Sequence, residues 1–189
     1  MVRVVDLAAL LGVRIIAGSR KGSRIFAPKS ETRPTGDRAR EAAFNLIGPV
    51  DDMAVLDLFA GSGAMGLEAL SRGAASTVFV ESYREARRAI ERNLEKLDLK
   101  GARIIKSDAR RALAAEAAAG RRYDLVLVDP PYRMLDSLLP TLSKYLPALL
   151  AEDGLIVVES SAREQPTLPL AERTSRKYGS ARLTLFEHA

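Results

Sequence analysis

The segment Ala54-Val55-Leu56-Asp57-Leu58-Phe59-Ala60-Gly61-Ser62-Gly63-Ala64-Met65-Gly66 decides the fold. It opens as an apolar run holding one carboxylate, Asp57, near its end. Its glycines then stand at the spacing G-x-G-x-x-G, where a strand gives way to a helix. Backbone without Cβ atoms can approach a ligand closely there, and the first N–H groups of a helix have no partner within it. Downstream the pattern repeats. Strand-like runs at 54–58, 77–81, 103–106, 124–128 and 155–159 alternate with helical stretches near 64–72, 83–97, 109–119 and 135–150. Within 83–97, Ala86, Ile90, Leu94 and Leu97 recur at helical spacing and mark a buried face. The runs have few polar interruptions, as expected of parallel strands covered on both faces. This alternation predicts an α/β fold with a doubly wound, mostly parallel sheet. The end of the chain departs from it: 173–178 and 182–186 flank Gly179-Ser180 and read as an antiparallel hairpin.

Length and composition narrow the function. With 189 residues, 47% of them hydrophobic, the chain suits one compact domain. No apolar run reaches the roughly 18 residues of a membrane span, so no membrane partner is expected. The chain has no cysteine, which excludes disulfides, thiolate metal sites and thiol catalysis. Its single histidine, His188, leaves no Ser-His-Asp triad and no HExxH zinc pair, and no metal site is expected. The net charge of +5 is unevenly spread. Residues 13–40 hold eight basic and two acidic residues, whereas 41–160 hold 15 basic and 18 acidic. A local basic segment on a near-neutral body suggests contact with a polyanion, although a solvated Arg-rich surface reads the same way. That segment reads as two short β pieces, 14–16 and 24–26, around a Gly/Ser/Lys turn. A loop over 27–37 and a helix over 38–47, ended by Gly48-Pro49, follow. The apolar stretch within residues 1–12 is too short for a secretory signal, which needs about 7–15 apolar residues. The chain reads as cytoplasmic.

Four strand ends carry the chemistry. Asp57, beside the glycine loop, would repel a pyrophosphate and attract an amino group or a positive sulfonium. S-adenosylmethionine has both charges and no phosphate. Glu81, at the end of the second strand, can accept both hydroxyls of a ribose, which does not separate S-adenosylmethionine from a nicotinamide dinucleotide. Asp108, after the third strand, can accept from an adenine amino group, and can equally cap the helix that follows. The fourth strand ends in Asp129-Pro130-Pro131-Tyr132, the most specific signal in the chain. Two prolines fix the backbone and set rigid carbonyls beside a carboxylate and an aromatic ring. An exocyclic NH2 on a base is a poor nucleophile. Asp129 and the Pro130 carbonyl can accept its two hydrogens and aim its lone pair at a methyl donor, with Tyr132 stacking on a base that has left its helix. Much of such catalysis is alignment.

This order of motifs resembles a class I S-adenosylmethionine-dependent methyltransferase of the amino-methylating type, with its Rossmann-like sheet. Arg14-Ile15-Ile16-Ala17-Gly18, then Arg33-Pro34-Thr35-Gly36-Asp37-Arg38-Ala39-Arg40-Glu41-Ala42-Ala43-Phe44-Asn45, then Leu67-Glu68-Ala69-Leu70-Ser71-Arg72-Gly73-Ala74 narrow the match. They resemble the ribosomal small-subunit methyltransferase D family, which methylates guanine N2 in 16S rRNA. The resemblance implies that Asp57, Phe59, Ala60, Gly61, Ser62, Gly63, Glu81, Ser82, Asp108 and Ala109 bind the cofactor, and that Asp129, Pro130, Pro131 and Tyr132 hold the target base. It implies that a basic hairpin and helix, with Arg14, Arg20, Lys21, Arg24, Arg33, Thr35 and Arg38, grip the RNA. For Thr35 and Arg38, capping and surface ion pairs are competing explanations. Three positions depart from the family: Ala17 replaces a glycine, Ser23 an arginine and Gly36 a threonine.

The expected organisation is therefore a leader at 1–12, with disorder expected, a substrate arm at 13–48 and an S-adenosylmethionine-binding domain at 49–189. The family's chains usually begin near Val13, so the leader reads as an upstream start. The expected partner is 16S rRNA or the small ribosomal subunit, including an assembly intermediate, bound by a monomer. Guanine is mildly favoured because its N1–H and N2–H2 are adjacent donors that a carboxylate can accept together. Three other readings stay open: adenine-N6 methylation of DNA or RNA, a nucleotide-binding oxidoreductase, and a non-catalytic RNA-binding assembly factor.

Overall fold

The computed structural model describes residues 13–28 and 36–189. The leader 1–12, and Arg33 and Thr35 with the rest of 29–35, lie outside the described residues. The chain forms α1 (Asp37–Ile47), β1 (Ala54–Asp57), α2 (Ala64–Ser71), β2 (Ser76–Val80), α3 (Arg84–Leu97), β3 (Ala102–Ile105) and α4 (Ala109–Ala118). It continues with β4 (Tyr123–Val128), α5 (Tyr132–Leu149), β5 (Leu150–Ser161), β6 (Ala171–Tyr178) and β7 (Ala181–Glu187). The seven-stranded sheet runs β3-β2-β1-β4-β5-β7-β6. Strands β3 to β5 are parallel, and β7 joins β5 and β6 antiparallel. The sheet is thus mostly parallel with an antiparallel C-terminal hairpin, as the sequence implies. Among the described residues no helix is long and apolar enough to cross a membrane.

Alternation along each strand sorts the core into two faces. Leu56, Val78, Val126, Val128, Ile156 and Val158 pack with Leu113 of α4 and Leu138 and Leu142 of α5. Val55, Leu127, Val157 and Leu185 pack under Phe44 of α1 on the opposite face, which Phe79 shares with Leu67 of α2 and Ile90 of α3. The chain winds one way from β1 through β2 to β3, and β4 to β5 goes the other way. The crevice at the carboxyl ends of β1 and β4 is the switch point where open α/β sheets bind ligands.

The expected hairpin at 14–16 and 24–26 is reduced to one isolated bridge, Arg14 to Arg24. Backbone bonds from Ile15 N–H to the Ser23 carbonyl (2.9 Å) and from Ile25 N–H to the Val13 carbonyl (3.0 Å) extend it, and Gly18–Arg20 form a 3-10 turn at its tip. Its partners in place of a second strand are two helices. Ile16 and Ala17 donate N–H to the Glu68 carboxylate at 2.8 and 2.9 Å, and Arg72 Nε reaches the same carboxylate at 2.7 Å. Glu68 is fully buried, so these three donors replace its water. Ser71 Oγ donates to the Ala17 carbonyl at 2.7 Å and accepts from Arg20 N–H at 3.0 Å. Gly18 is held so close to α2 that a Cβ there would lie 1.8 Å from the Ser71 carbonyl oxygen, at a φ of +80°. Ala17 is extended, at φ −143°, so alanine serves where the family has glycine.

Two further differences have plain causes. Helix α5 begins at Tyr132, earlier than position 135, because Pro131 already sits at its N-cap. It continues through Pro140 and Pro147, carried by Leu138, Leu142, Leu146 and Leu149 buried against the sheet. Strand β5 starts at Leu150, earlier than 155, because Leu150 pairs with Tyr123 before a register shift.

Glu68→Ala would leave two partly buried N–H groups without an acceptor and Arg72 without its counter-charge. Chemical denaturation is expected to show a loss of about 3–5 kcal/mol, the scale for breaking a buried pair on one side.

Candidate active site

Four adjacent strands deliver carboxylates to one edge. In spatial order these are Glu81 after β2, Asp57 ending β1, Asp129 after β4 and Glu159 within the last turns of β5. All four face α1–α3, because the residues two positions earlier (Phe79, Val55, Leu127 and Val157) lie in the core beneath those helices. Val128 pairs with Val158, so Asp129 and Glu159 are lateral neighbours.

Asp57, Glu81 and Asp108 each take backbone donors. Asp57 is buried, and its Oδ2 accepts from Gly66 N–H at 3.0 Å in the first turn of α2. Glu81 is buried too, accepting from Gly61 N–H at 2.9 Å and Tyr83 N–H at 2.7 Å. Asp108 caps α4, with Oδ1 accepting from Arg110 and Arg111 N–H at 3.0 and 3.1 Å. In a phosphate-binding fold such N–H groups face the ligand. Here Gly61 and Gly66 spend theirs on carboxylates. The site is thus rich in acceptors and suits a ligand that brings hydroxyls, amines and positive charge. Each carboxylate oxygen has two lone pairs, so Glu81 can hold its backbone partners and still accept from a ribose.

The glycine loop is shaped by its surroundings. Gly63 is the N-cap of α2 in the left-handed region, at φ +82°, and its N–H donates to the Ala60 carbonyl at 2.6 Å. At Gly66 a Cβ would lie 2.3 Å from Phe79 Cε1, so only glycine lets α2 lie this close to β2. Ser62 is buried, and its carbonyl accepts from Asn93 Nδ2 at 3.1 Å. Ala60 is buried, and half-buried Phe59 packs on the α4–α5 side. Ser82 is exposed, and Arg87 donates to its carbonyl. Ala109, buried, opens α4.

Across the crevice, Pro130 is buried, Pro131 is the N-cap of α5, and Tyr132 is the first helical residue, 37% exposed. The Tyr132 hydroxyl lies 3.3 Å from Glu159 Oε1. Burial, and after it the charge of Asp129, pushes the Glu159 carboxyl up to about 8, with the Tyr132 hydroxyl pulling the other way.

The basic residues separate into two groups. Arg14 Nε donates to Asp37 Oδ2 at 3.0 Å, and Arg38 is exposed in the first turn of α1. Arg20 donates to the carbonyls of Leu97 and Asp98, where α3 ends at the far side of the sheet from Asp129, and exposed Lys21 follows it. Arg24 lies between, exposed, with its carbonyl accepting from Lys96 Nζ at 2.5 Å.

Three residues here are not among those the sequence singles out. Glu159 is hidden as the last letter of a strand-like run. Glu68 stands within a motif quoted only for its resemblance. Asn93 stands between Ile90 and Leu97 on the buried face of α3. It holds Phe26 through both backbone groups, at 2.7 and 2.9 Å, as well as Ser62. A polar residue interrupting an apolar stripe is the signal that marks it.

The family model described as "Conserved hypothetical protein 95" matches residues 13–187. Ribosomal RNA small subunit methyltransferase D of Escherichia coli (strain K12) is 41% identical over 162 residues, 83% of this chain and 79% of that protein. YlbH of Bacillus subtilis (strain 168) is 43% identical over 152 residues, 78% of this chain and 82% of its own. Among solved structures, yhhF from Escherichia coli superposes with a TM-score of 0.81 at 36% identity, covering 93% of this chain and 97% of that one. SMU.776, solved in complex with SAH, shares the fold with a TM-score of 0.70 at 15% identity, over 86% of this chain and 53% of that one.

The raised Glu159 carboxyl makes stability depend on pH. Below its ordinary value near 4.5 both the folded and the unfolded state hold the proton. Between there and about 8 only the folded state holds it, so stability falls as pH rises. Glu159→Gln removes this dependence. Its Tm relative to the native protein is expected to climb from pH 5 to pH 8.5 (~3.5 pH units), read by thermal melts across that range.

Proposed function

The chain belongs to the family described as Conserved hypothetical protein 95, that of the ribosomal RNA small subunit methyltransferases D, and on that premise we propose that it methylates the N2 amino group of a guanine in 16S rRNA. The cofactor is S-adenosylmethionine, and the activity is rRNA methylation. The observation that carries the finer reading is the Asp129-Pro130-Pro131-Tyr132 corner, set beside an acceptor-rich glycine loop at the switch point of the sheet.

S-adenosylmethionine supplies a methyl group on positively charged sulfur, already activated toward a nucleophile. The chain's own residues bind and orient. Asp57, with Phe59, Ala60, Gly61, Ser62 and Gly63, suits the amino-acid end of the cofactor. Glu81 and Ser82 suit its ribose, and Asp108 and Ala109 its adenine. Asp129 and the Pro130 carbonyl accept the hydrogens of the target amine and turn its lone pair toward the donor. The exposed Tyr132 ring offers a stacking face for a base withdrawn from its helix. Arg14 and Arg38 flank the carboxyl edge of the sheet and suit the RNA backbone nearby. Arg20 and Lys21, at the other end, suit phosphates further from the target.

Methyl transfer from labelled cofactor to small-subunit rRNA or particles lacking the modification is expected to yield N2-methylguanosine on nucleoside analysis. N6-methyladenosine as the product would overturn the assignment of the base. Asp129→Ala is expected to lower kcat by about 100-fold or more, the scale of lost orientation, with cofactor affinity nearly unchanged.

RNA affinity is expected to fall steeply with salt, each lost phosphate contact reducing the log–log slope by about 0.7–0.9. Arg38→Ala should lower both kcat/KM and that slope, and Lys21→Ala chiefly the slope. Filter binding between 50 and 200 mM salt (~4-fold in concentration), paired with initial rates, separates them.

A further inference from the structure

Glu159 has no part in the function as read from the motifs, yet it sits in the same row as Asp129. The printed ladder between β4 and β5 ends at Val128 and Val158, Asp129 is the first residue beyond β4, and its charge acts on Glu159, the next residue of β5. Two ionised carboxylates side by side repel, which favours a proton on one of them. Asp129, at a loop, and Glu159, in β5, are both half-buried. Glu159 is flanked by Asp129 from β4, by the Tyr132 hydroxyl from α5 at 3.3 Å, and by apolar Leu183 of β7, its partner in register. Arg176 of β6 is exposed one strand further on, opposite Leu183. Buried Arg40 of α1 is engaged by Asp37 Oδ1 at 2.8 Å and by the Arg14 carbonyl at 2.6 Å. Burial and the neighbouring acid keep the Glu159 proton in place up to about pH 8.

A carboxylate beside a carboxylic acid is an acceptor beside a donor. The Watson–Crick edge of guanine is complementary: N2–H2 and N1–H donate, and O6 accepts. The same edge of adenine puts a donor, the N6 amine, where guanine has O6. We propose that Glu159 is a specificity-determining residue that presents its carboxyl proton to O6 of the target guanine while Asp129 accepts from the N1 and N2 donors. This rests on the guanine-N2 reading and deepens it. The Tyr132 hydroxyl holds the Glu159 carboxyl in position, so the ring that stacks on the base also orients the group that identifies it.

The experiment compares native protein, Glu159→Gln and Glu159→Ala on undermethylated small-subunit particles from pH 6.5 to 9.5 (~3 pH units about the Glu159 transition), with nucleoside analysis of the product. In the native protein kcat/KM is expected to fall as pH passes about 8, where Glu159 loses its donor. Glutamine keeps an N–H donor at every pH. Glu159→Gln should retain most of the turnover, lower by a few-fold, and lose the alkaline limb. Glu159→Ala should lose about 30-fold in kcat/KM, the scale of one hydrogen bond to a buried group, with cofactor affinity, read by calorimetry, preserved. N2-methylguanosine from the native protein, with the two variants equally impaired or the alkaline limb unmoved in Glu159→Gln, overturns the role of Glu159 alone. A native product other than N2-methylguanosine overturns the functional reading, and this inference with it.

Discussion

Like charges brought to one edge of a sheet have to be given donors or protons, and this molecule is arranged around that necessity. Asp57 and Glu81 take backbone N–H groups from α2, the glycine loop and the start of α3. Asp108 takes two from α4. Glu159 meets the same necessity by holding a proton, its carboxyl pushed up to about 8 by burial and by the charge of Asp129. The helices that follow the strands thus serve twice: they cover the sheet, and their unpaired first turns neutralise the acids that end it. The cost is that these N–H groups are no longer turned toward a phosphate. A glycine motif shared with dinucleotide sites therefore sits in a surface of opposite character. Asp57 and Gly66 decide that character together, the acid by claiming the amide.

The second buried charge works elsewhere. Glu68 lies on the side of α2 away from the crevice, and it fastens the N-terminal segment across two helices with help from Ser71, Arg72 and Asn93. Arg72 continues the chain of contacts to α1, its guanidinium 4.5 Å from the Phe44 ring. Much of the sequence by which the family is told, from Leu67 to Gly73 and at Phe44, is thus concerned with mounting the arm and α1 on the sheet. The strand-end acids lie outside that stretch.

The fold was largely legible because apolar strands and amphipathic helices alternate without ambiguity, and the antiparallel hairpin announced itself at Gly179-Ser180. The strand-end acids were legible for the same reason: an acid after an apolar run stands out. What escaped reading was polar chemistry within apolar patterns. Glu68, Asn93 and Glu159 each occupy a position whose neighbours predict burial, and only the partners that arrive from distant sequence explain them. The division of the basic segment was equally beyond a charge count. Arg14 and Arg20 are six positions apart, and one reaches α1 while the other reaches the end of α3.

The outermost strand of the sheet has a bearing on how the protein keeps company with its own kind. Among the described residues β6 has β7 on one side and no strand on the other. A bare strand edge is a template for a stray strand from another chain, and proteins commonly protect such edges with charge. Here Arg173, Arg176 and Lys177 stand exposed along β6, and a register shift between Glu172 and Thr174 breaks the regular ladder. Two such edges meeting would set like charges against each other across an irregular row of amides. The positive charge along this edge thus discourages sheet-to-sheet aggregation.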